Sequence, residues 1–207
     1  MTMQDEGYIK YSCTLDTSTA PPAADTVMVQ NIRRKLYDIG LIGMYENGVG
    51  FGNVSCRRGK ETMSFIITGS ATGGSKILDR EDLVEVEACD IQKNHVSAKG
   101  KIPPSSESMT HWAVYAAQEE IQAVVHVHSK DIFNYMKNAG AFCTPGNISY
   151  GTPQMARSIF RLVQTGLSPH GVFYTAGHDE GVFAYGRNES EVENAILNLY
   201  TKARGYA

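Results

Sequence analysis

Residues 123–129 read Ala-Val-Val-His-Val-His-Ser, and the fold turns on how that run is taken. It is rich in valine, which favours an extended backbone. A strand sends successive side chains to opposite faces, so His126 and His128 leave it on the same side, a few ångströms apart. One histidine in an apolar run is usually a core or surface residue. Two at this spacing, followed by the small polar Ser129, make a chelate that needs further ligands from elsewhere in the chain.

Working outward toward the C-terminus, Ser129 suits the N-cap of a helix over 130–138, which Gly140 ends. Residues 144–151 read as loop. Pro153 then opens an amphipathic helix through Met155, Ile159, Leu162 and Val163 that Gly166 stops. The runs 172–175 and 182–186 are strands around Ala176-Gly-His-Asp-Glu-Gly181, which puts His178 at a hairpin tip. Asn188 or Ser190 caps a final helix through Val192, Ile196, Leu199 and Tyr200.

Toward the N-terminus, residues 103–118 predict a helix that leads directly into the His-x-His strand. Its entrance carries Ser105, Ser106 and Glu107, where unpaired N–H groups and the positive end of a helix favour an anion. His111 shares a helix face with Glu107 and is read as structural. Earlier, Asp25 caps a helix with Val29, Ile32, Leu36 and Ile39 at its apolar spacing. A glycine-rich stretch over 48–53 follows, with Asn53 at the start of a strand. A second strand, 64–68, runs into Gly69-Ser-Ala-Thr-Gly-Gly-Ser75. Backbone N–H groups in such a loop can form a nest for phosphate. It lacks the Gly-Lys-Thr ending of a P-loop, and no basic residue within it supports the charge. Residues 83–87 read as a strand and 96–101 as a hairpin. Residues 8–15 form a strand or arm and 16–24, with Pro21-Pro22, a linker. The expected organisation is therefore an N-terminal arm and linker over 1–24 and one domain over 25–207.

Composition narrows the function. The 207 residues are long enough for one domain with a sizeable core. Nineteen basic and 22 acidic residues are interspersed and leave a net charge of -3, so no basic patch points to nucleic acid or an anionic membrane. Cys13, Cys56, Cys89 and Cys143 include no C-x-x-C pair, which fits reduced thiols in the cytoplasm better than a zinc knot or a disulfide framework. No N-terminal signal pattern and no apolar run of membrane-spanning length is present.

A zinc or similar divalent ion needs three good ligands and an open position to work on a substrate. His126, His128 and His178 supply them, with Glu107 as the fourth group. His170, in a loop, is the alternative third ligand, and His95 lies in a polar hairpin.

In order along the chain, Gly52-Asn53-Val-Ser, Thr68-Gly69, Ser105-Ser106-Glu107, Ala123-Val-Val-His-Val-His128 and the His178 hairpin resemble the class II aldolase/adducin family. The resemblance spans roughly residues 25–205. It implies a three-layer α/β/α fold with a mainly antiparallel central sheet, whereas periodicity alone gives only mixed α and β. It also implies metal ligation by His126, His128 and His178, with Zn2+ or another divalent ion such as Mn2+ or Co2+. Gly52, Asn53, Thr68, Gly69, Ser105 and Ser106 would hold a substrate phosphate, and Glu107 would be the acid/base. The activity expected on this basis is a lyase that cleaves or forms a carbon-carbon bond, through an enediolate, in a small phosphorylated hydroxy-ketone. The alternatives are an epimerase, a dehydratase or a non-catalytic adducin-like protein. A homotetramer is the assembly implied.

Two departures from the family pattern stand out. The aldolases carry an extra tyrosine-bearing segment after the helix that follows the His-x-His strand, whereas here Gly140 runs almost at once into Cys143-Thr-Pro-Gly146. The usual His-Gly at the third histidine is His178-Asp-Glu-Gly181 here, so Asp179 or Glu180 could also reach the metal or substrate.

Overall fold

A computed structural model describes residues 7–59, 61–166 and 168–205. The first six residues of the expected arm lie outside the described residues. The chain runs β1 (Ser12–Asp16), α1 (Ala23–Asp38), β2 (Gly43–Met44), β3 (Gly50–Phe51), β4 (Asn53–Arg57) and β5 (Phe65–Thr68). After a single 3-10 turn (Arg80–Asp82) come β6 (Leu83–Asp90), β7 (His95–Gly100), α2 (Ser108–Ala117), β8 (Ala123–His128) and α3 (Lys130–Asn138). The chain closes with β9 (Cys143–Thr144), α4 (Pro153–Thr165), β10 (Gly171–Thr175), β11 (Gly181–Gly186) and α5 (Glu189–Gly205).

Nine strands form one sheet in the order β1-β7-β6-β5-β4-β8-β11-β10-β9. Its pairings are antiparallel except at the two edges, where β1 runs parallel to β7 and β9 parallel to β10. The stretch read as a strand or arm thus supplies an edge strand, Ser12 opposite His95 through Asp16 opposite Lys99. β2 and β3 form a small separate hairpin.

Helices cover both faces, which is why every residue of β8 is buried. Alternation still sorts its side chains. Ala123, Val125 and Val127 join the core under α1, α3 and α5, with Val29, Ile32, Leu36, Ile132, Met136, Val192 and Ile196. Val124 joins the opposite core, with Met109, Val114, Met155 and Ile159 of α2 and α4. The architecture is a three-layer α/β/α sandwich with β8 near its middle, so His126 and His128 emerge on the face that carries α2.

Two helix starts differ from the sequence expectation. α1 begins at Ala23 behind Pro22, without a side-chain cap from Asp25. α2 begins only at Ser108, because Pro104 bridges to Gly69 and residues 105–107 form the turn that enters the helix. No helix among the described residues is long and apolar enough to cross a membrane, and the four cysteines are free thiols.

Candidate metal and anion site

Strand register sets the first histidine. Asn53 of β4 and Phe183 of β11 flank His126 in one row across three strands. The His126 imidazole stacks on Phe183 at 4.2 Å and 5°, and Phe183 stacks in turn on Phe173 at 5.0 Å. The stack holds the ring, and the Asn53 carboxamide nitrogen lies 3.4 Å from Nδ1. Nε2 of His126 is buried with no hydrogen-bond partner among the described residues. Burial first, then His128 and His178, hold the His126 pKa well below its ordinary value, so the ring is neutral and carries a lone pair.

The second histidine is fixed from behind. Tyr45, in the turn between β2 and β3, has its hydroxyl 2.8 Å from Nδ1 of His128 and donates to Oε2 of Glu180 at 3.1 Å. A carboxylate only accepts, and a phenol has one proton. Tyr45 must therefore spend that proton on Glu180 and accept from His128 Nδ1–H, which leaves the lone pair on Nε2. Lys130 anchors the other Glu180 oxygen at 3.4 Å. Glu180 thus stands behind His128 rather than in the cluster, and Asp179 is exposed.

The third histidine arrives on the turn between β10 and β11. His178 N–H donates to Thr175 O at 2.9 Å and Gly181 N–H to His178 O at 3.1 Å, which folds the tip back over β8. Gly181 faces His128 across the ladder. A Cβ there would sit 2.5 Å from Thr175 Oγ1 and 3.1 Å from His178 Nδ1, so only glycine allows this approach. One ligand atom from each of His126, His128 and His178 lies within 4.8 Å of the others. Glu107, 3% exposed, brings Oε1 to 3.8 Å from His178 Nδ1. Tyr150, which the sequence pattern leaves in a loop, stacks on the His178 ring at 4.8 Å.

Three convergent imidazoles, one with an orphaned buried nitrogen, fit a borderline divalent cation such as zinc, and the clustered rings would otherwise be poorly accommodated in so buried a place. The other histidines lie apart. His170 is exposed beside Ser168, His95 bridges Ser12 and Thr14 at the sheet edge, and His111 is buried against Ser55 Oγ at 2.7 Å.

Next to Glu107 is a polar pocket lined by Gly52, Asn53, Gly69, Ser105 and Ser106, together with Gly7, Gly50 and residues 70–73. Thr68 stands behind this wall. Its hydroxyl accepts from Val54 N–H at 3.3 Å and its carbonyl from Ser105 N–H at 3.2 Å. A second, more open cavity of about 390 Å³ adjoins His128, lined in part by Tyr45, Phe51, Lys130, Glu180 and Tyr200.

The profile of the Class II Aldolase and Adducin N-terminal domain matches residues 31–201. Among solved structures, an L-fuculose 1-phosphate aldolase superposes with a TM-score of 0.68 at 20% identity, covering 91% of this chain and 87% of that one. The L-fuculose-1-phosphate aldolase of Thermus thermophilus gives 0.63 at 22%, over 89% of this chain and 93% of its own. A sugar-phosphate aldolase from Thermotoga maritima gives 0.63 at 17%, over 87% and 93%. No curated protein sequence matches. At these identities the structural likeness concerns the fold.

Proposed function

Because the chain belongs to the class II aldolase and adducin family, we propose that it is a metal-dependent lyase of the sugar-phosphate aldolase type. Its reaction is the cleavage or formation of a carbon-carbon bond next to the carbonyl of a small phosphorylated hydroxy-ketone. The observation that carries this reading is the convergence of His126, His128, His178 and Glu107 beside a pocket walled by glycines and serines.

His126, His128 and His178 would hold the ion. When bound, a divalent metal supplies a Lewis acid that stabilises negative charge developing beside a carbonyl. The other steps fall to the protein. Hydroxyls of Ser105 and Ser106, with backbone N–H groups of the surrounding loops, take the phosphate and fix the substrate's position. Asn53 touches both His126 and this pocket, and so links anchor to reacting end. Glu107, with its carboxylate between pocket and histidines, takes a proton from the substrate and returns it. Tyr150, against His178, offers a phenol at the same place.

An epimerase or dehydratase acting at this site is the second reading. It is favoured by the short connection from α3 to β9, which omits the tyrosine-bearing segment expected of the aldolases. A cytoplasmic homotetramer is the setting we propose. The exposure of Met44, Ile77 and Phe142, at 55%, 70% and 66%, supports burial of these residues against another copy.

Metal analysis of the purified protein, beside His126→Ala and His178→Ala, tests the premise. Loss of bound metal in both variants is expected, and unchanged content in both would defeat it. Retro-aldol, epimerisation and dehydration assays over a panel of ketose and aldose phosphates then sort the reactions. Glu107→Gln should lower turnover by roughly 10²- to 10⁴-fold, and full activity in that variant would remove Glu107 from the mechanism.

A further inference from the structure

Arg33 projects from α1 and is 1% exposed, so its guanidinium is out of water. Nη2 donates to the carbonyls of Thr72 at 3.1 Å and Gly73 at 3.0 Å, and Nη1 to that of Lys76 at 3.1 Å. Its Cζ lies 4.8 Å from the centre of the Tyr37 ring, and Tyr37 Oη donates to Gly74 O at 3.1 Å. Among the described residues no carboxylate comes within ion-pairing distance; Tyr37 and Asp82 are the titratable groups that act on it. Burial lowers its pKa, yet a guanidinium does not lose its proton in a protein. Three carbonyls take three of its N–H donors, and the Tyr37 ring lies against it, without cancelling the charge. A buried charge without a counter-ion is costly, and an apolar side chain would fill the same space without that cost.

The compensation lies across the loop. Thr72 and Gly73 also line the polar pocket, with Gly69, Ser70, Ser105 and Ser106. A trans peptide unit carries its N–H opposite its C=O. Two of the three units whose carbonyls turn toward Arg33, those of Thr72 and Gly73, therefore carry the N–H groups of Gly73 and Gly74 on the side away from it. Of the two, Gly73 lines the pocket, so the guanidinium charge and that peptide dipole have the same sign toward an anion held there.

We infer that Arg33 is the cation of the anion pocket: a buried charge one loop's thickness behind the wall, which draws a phosphate without touching it. It supplies what the 69–75 sequence lacks. The inference rests on the reading of that pocket as a phosphate site, and Arg33 acts in it as a positioning residue through the field and the loop it holds.

The test is calorimetric titration of the full chain with inorganic phosphate, in wild type, Arg33→Gln, Arg33→Lys and Tyr37→Phe, with Zn2+ affinity as the check on the histidine cluster. The charge predicts that Arg33→Gln weakens phosphate binding about tenfold or more, while Arg33→Lys stays within about threefold. Tyr37→Phe removes one loop anchor but no charge and should also stay within about threefold. Zn2+ affinity should hold in all. Equal losses in Arg33→Lys and Arg33→Gln, or a loss in Tyr37→Phe as large as that in Arg33→Gln, would make Arg33 a loop staple only and overturn the inference. Should Arg33→Gln fail to fold, a large loss in either remaining variant overturns it. Failure of the wild type itself to bind phosphate, with Zn2+ binding intact, would overturn the pocket reading along with it, a result distinct from all the others.

Discussion

Tyr45 Oη stands 2.8 Å from Nδ1 of His128, and its single proton goes to Glu180. This contact dictates which His128 nitrogen faces the cluster. Residues behind a ligand commonly contribute ten- to a hundredfold in metal affinity. Tyr45→Phe should therefore weaken Zn2+ binding by about that factor in competition with a chromogenic chelator. Equal affinity in the variant would show that the phenol is only packing.

Glu180 adopts φ 68°, a left-handed conformation that a residue with a Cβ enters at a cost of roughly 1 kcal/mol or more. A residue held in strain for its carboxylate should show opposed effects on replacement. Glu180→Gly is expected to leave the melting temperature unchanged or raise it by a few degrees, while lowering Zn2+ affinity. A fall in both, measured by calorimetric scans and metal titration, would argue that Glu180 serves the fold.

At Gly181 the constraint is contact. A methyl group there meets Thr175 Oγ1 and His178 Nδ1, so Gly181→Ala must push the hairpin tip off β8. We expect a loss of about 1–3 kcal/mol in urea unfolding, together with weakened metal binding. A variant with wild-type metal affinity would mean that the tip moves without carrying the imidazole.

His111 is buried, and that burial pulls its pKa from the ordinary 6.5 to about 3. Between those values the unfolded chain binds a proton that the folded chain refuses. The stability contributed by the neutral ring is thus complete above about pH 6.5 and is lost as pH falls toward 3, at up to about 1.4 kcal/mol per pH unit. Urea titrations from pH 7 to pH 4 should show a shallower acid limb in His111→Asn, which keeps a polar group toward Ser55. An identical slope would assign the acid sensitivity to other groups.

Much of this is legible in the chain. The period-2 spacing of His126 and His128, the glycine-bounded tip at His178 and the hydroxyl-rich entrance at Ser105 and Ser106 are local patterns, and the structure brings those residues together. What escapes depends on distant partners. β2 and β3 are two residues each, too short to display alternation, so Tyr45 reads as loop. Arg33 sits in a helix whose apolar face is read from Val29, Ile32 and Leu36. Its burial follows from the 69–75 loop folding over it, which no spacing within α1 encodes. The parallel pairing of β1 with β7 joins residues more than eighty positions apart, and an edge strand of five residues carries little periodicity of its own. The position of Glu107 is readable but not its setting, because Pro104 delays the helix that the pattern starts at 103.

The leading segment has a practical bearing on every experiment above. Tyr8 N–H donates to Tyr150 Oη at 3.2 Å, Lys10 Nζ lies 3.9 Å above the centre of the same ring, and Tyr11 Oη donates to Ser105 O at 2.8 Å. Gly7 is itself part of the polar pocket's rim. An affinity tag fused ahead of Gly7 would thus be tethered at the rim of that pocket, and trimming back to the first strand would strip contacts from Tyr150 and Ser105. Truncation series should treat residues 7–11 as part of the polar pocket's surroundings.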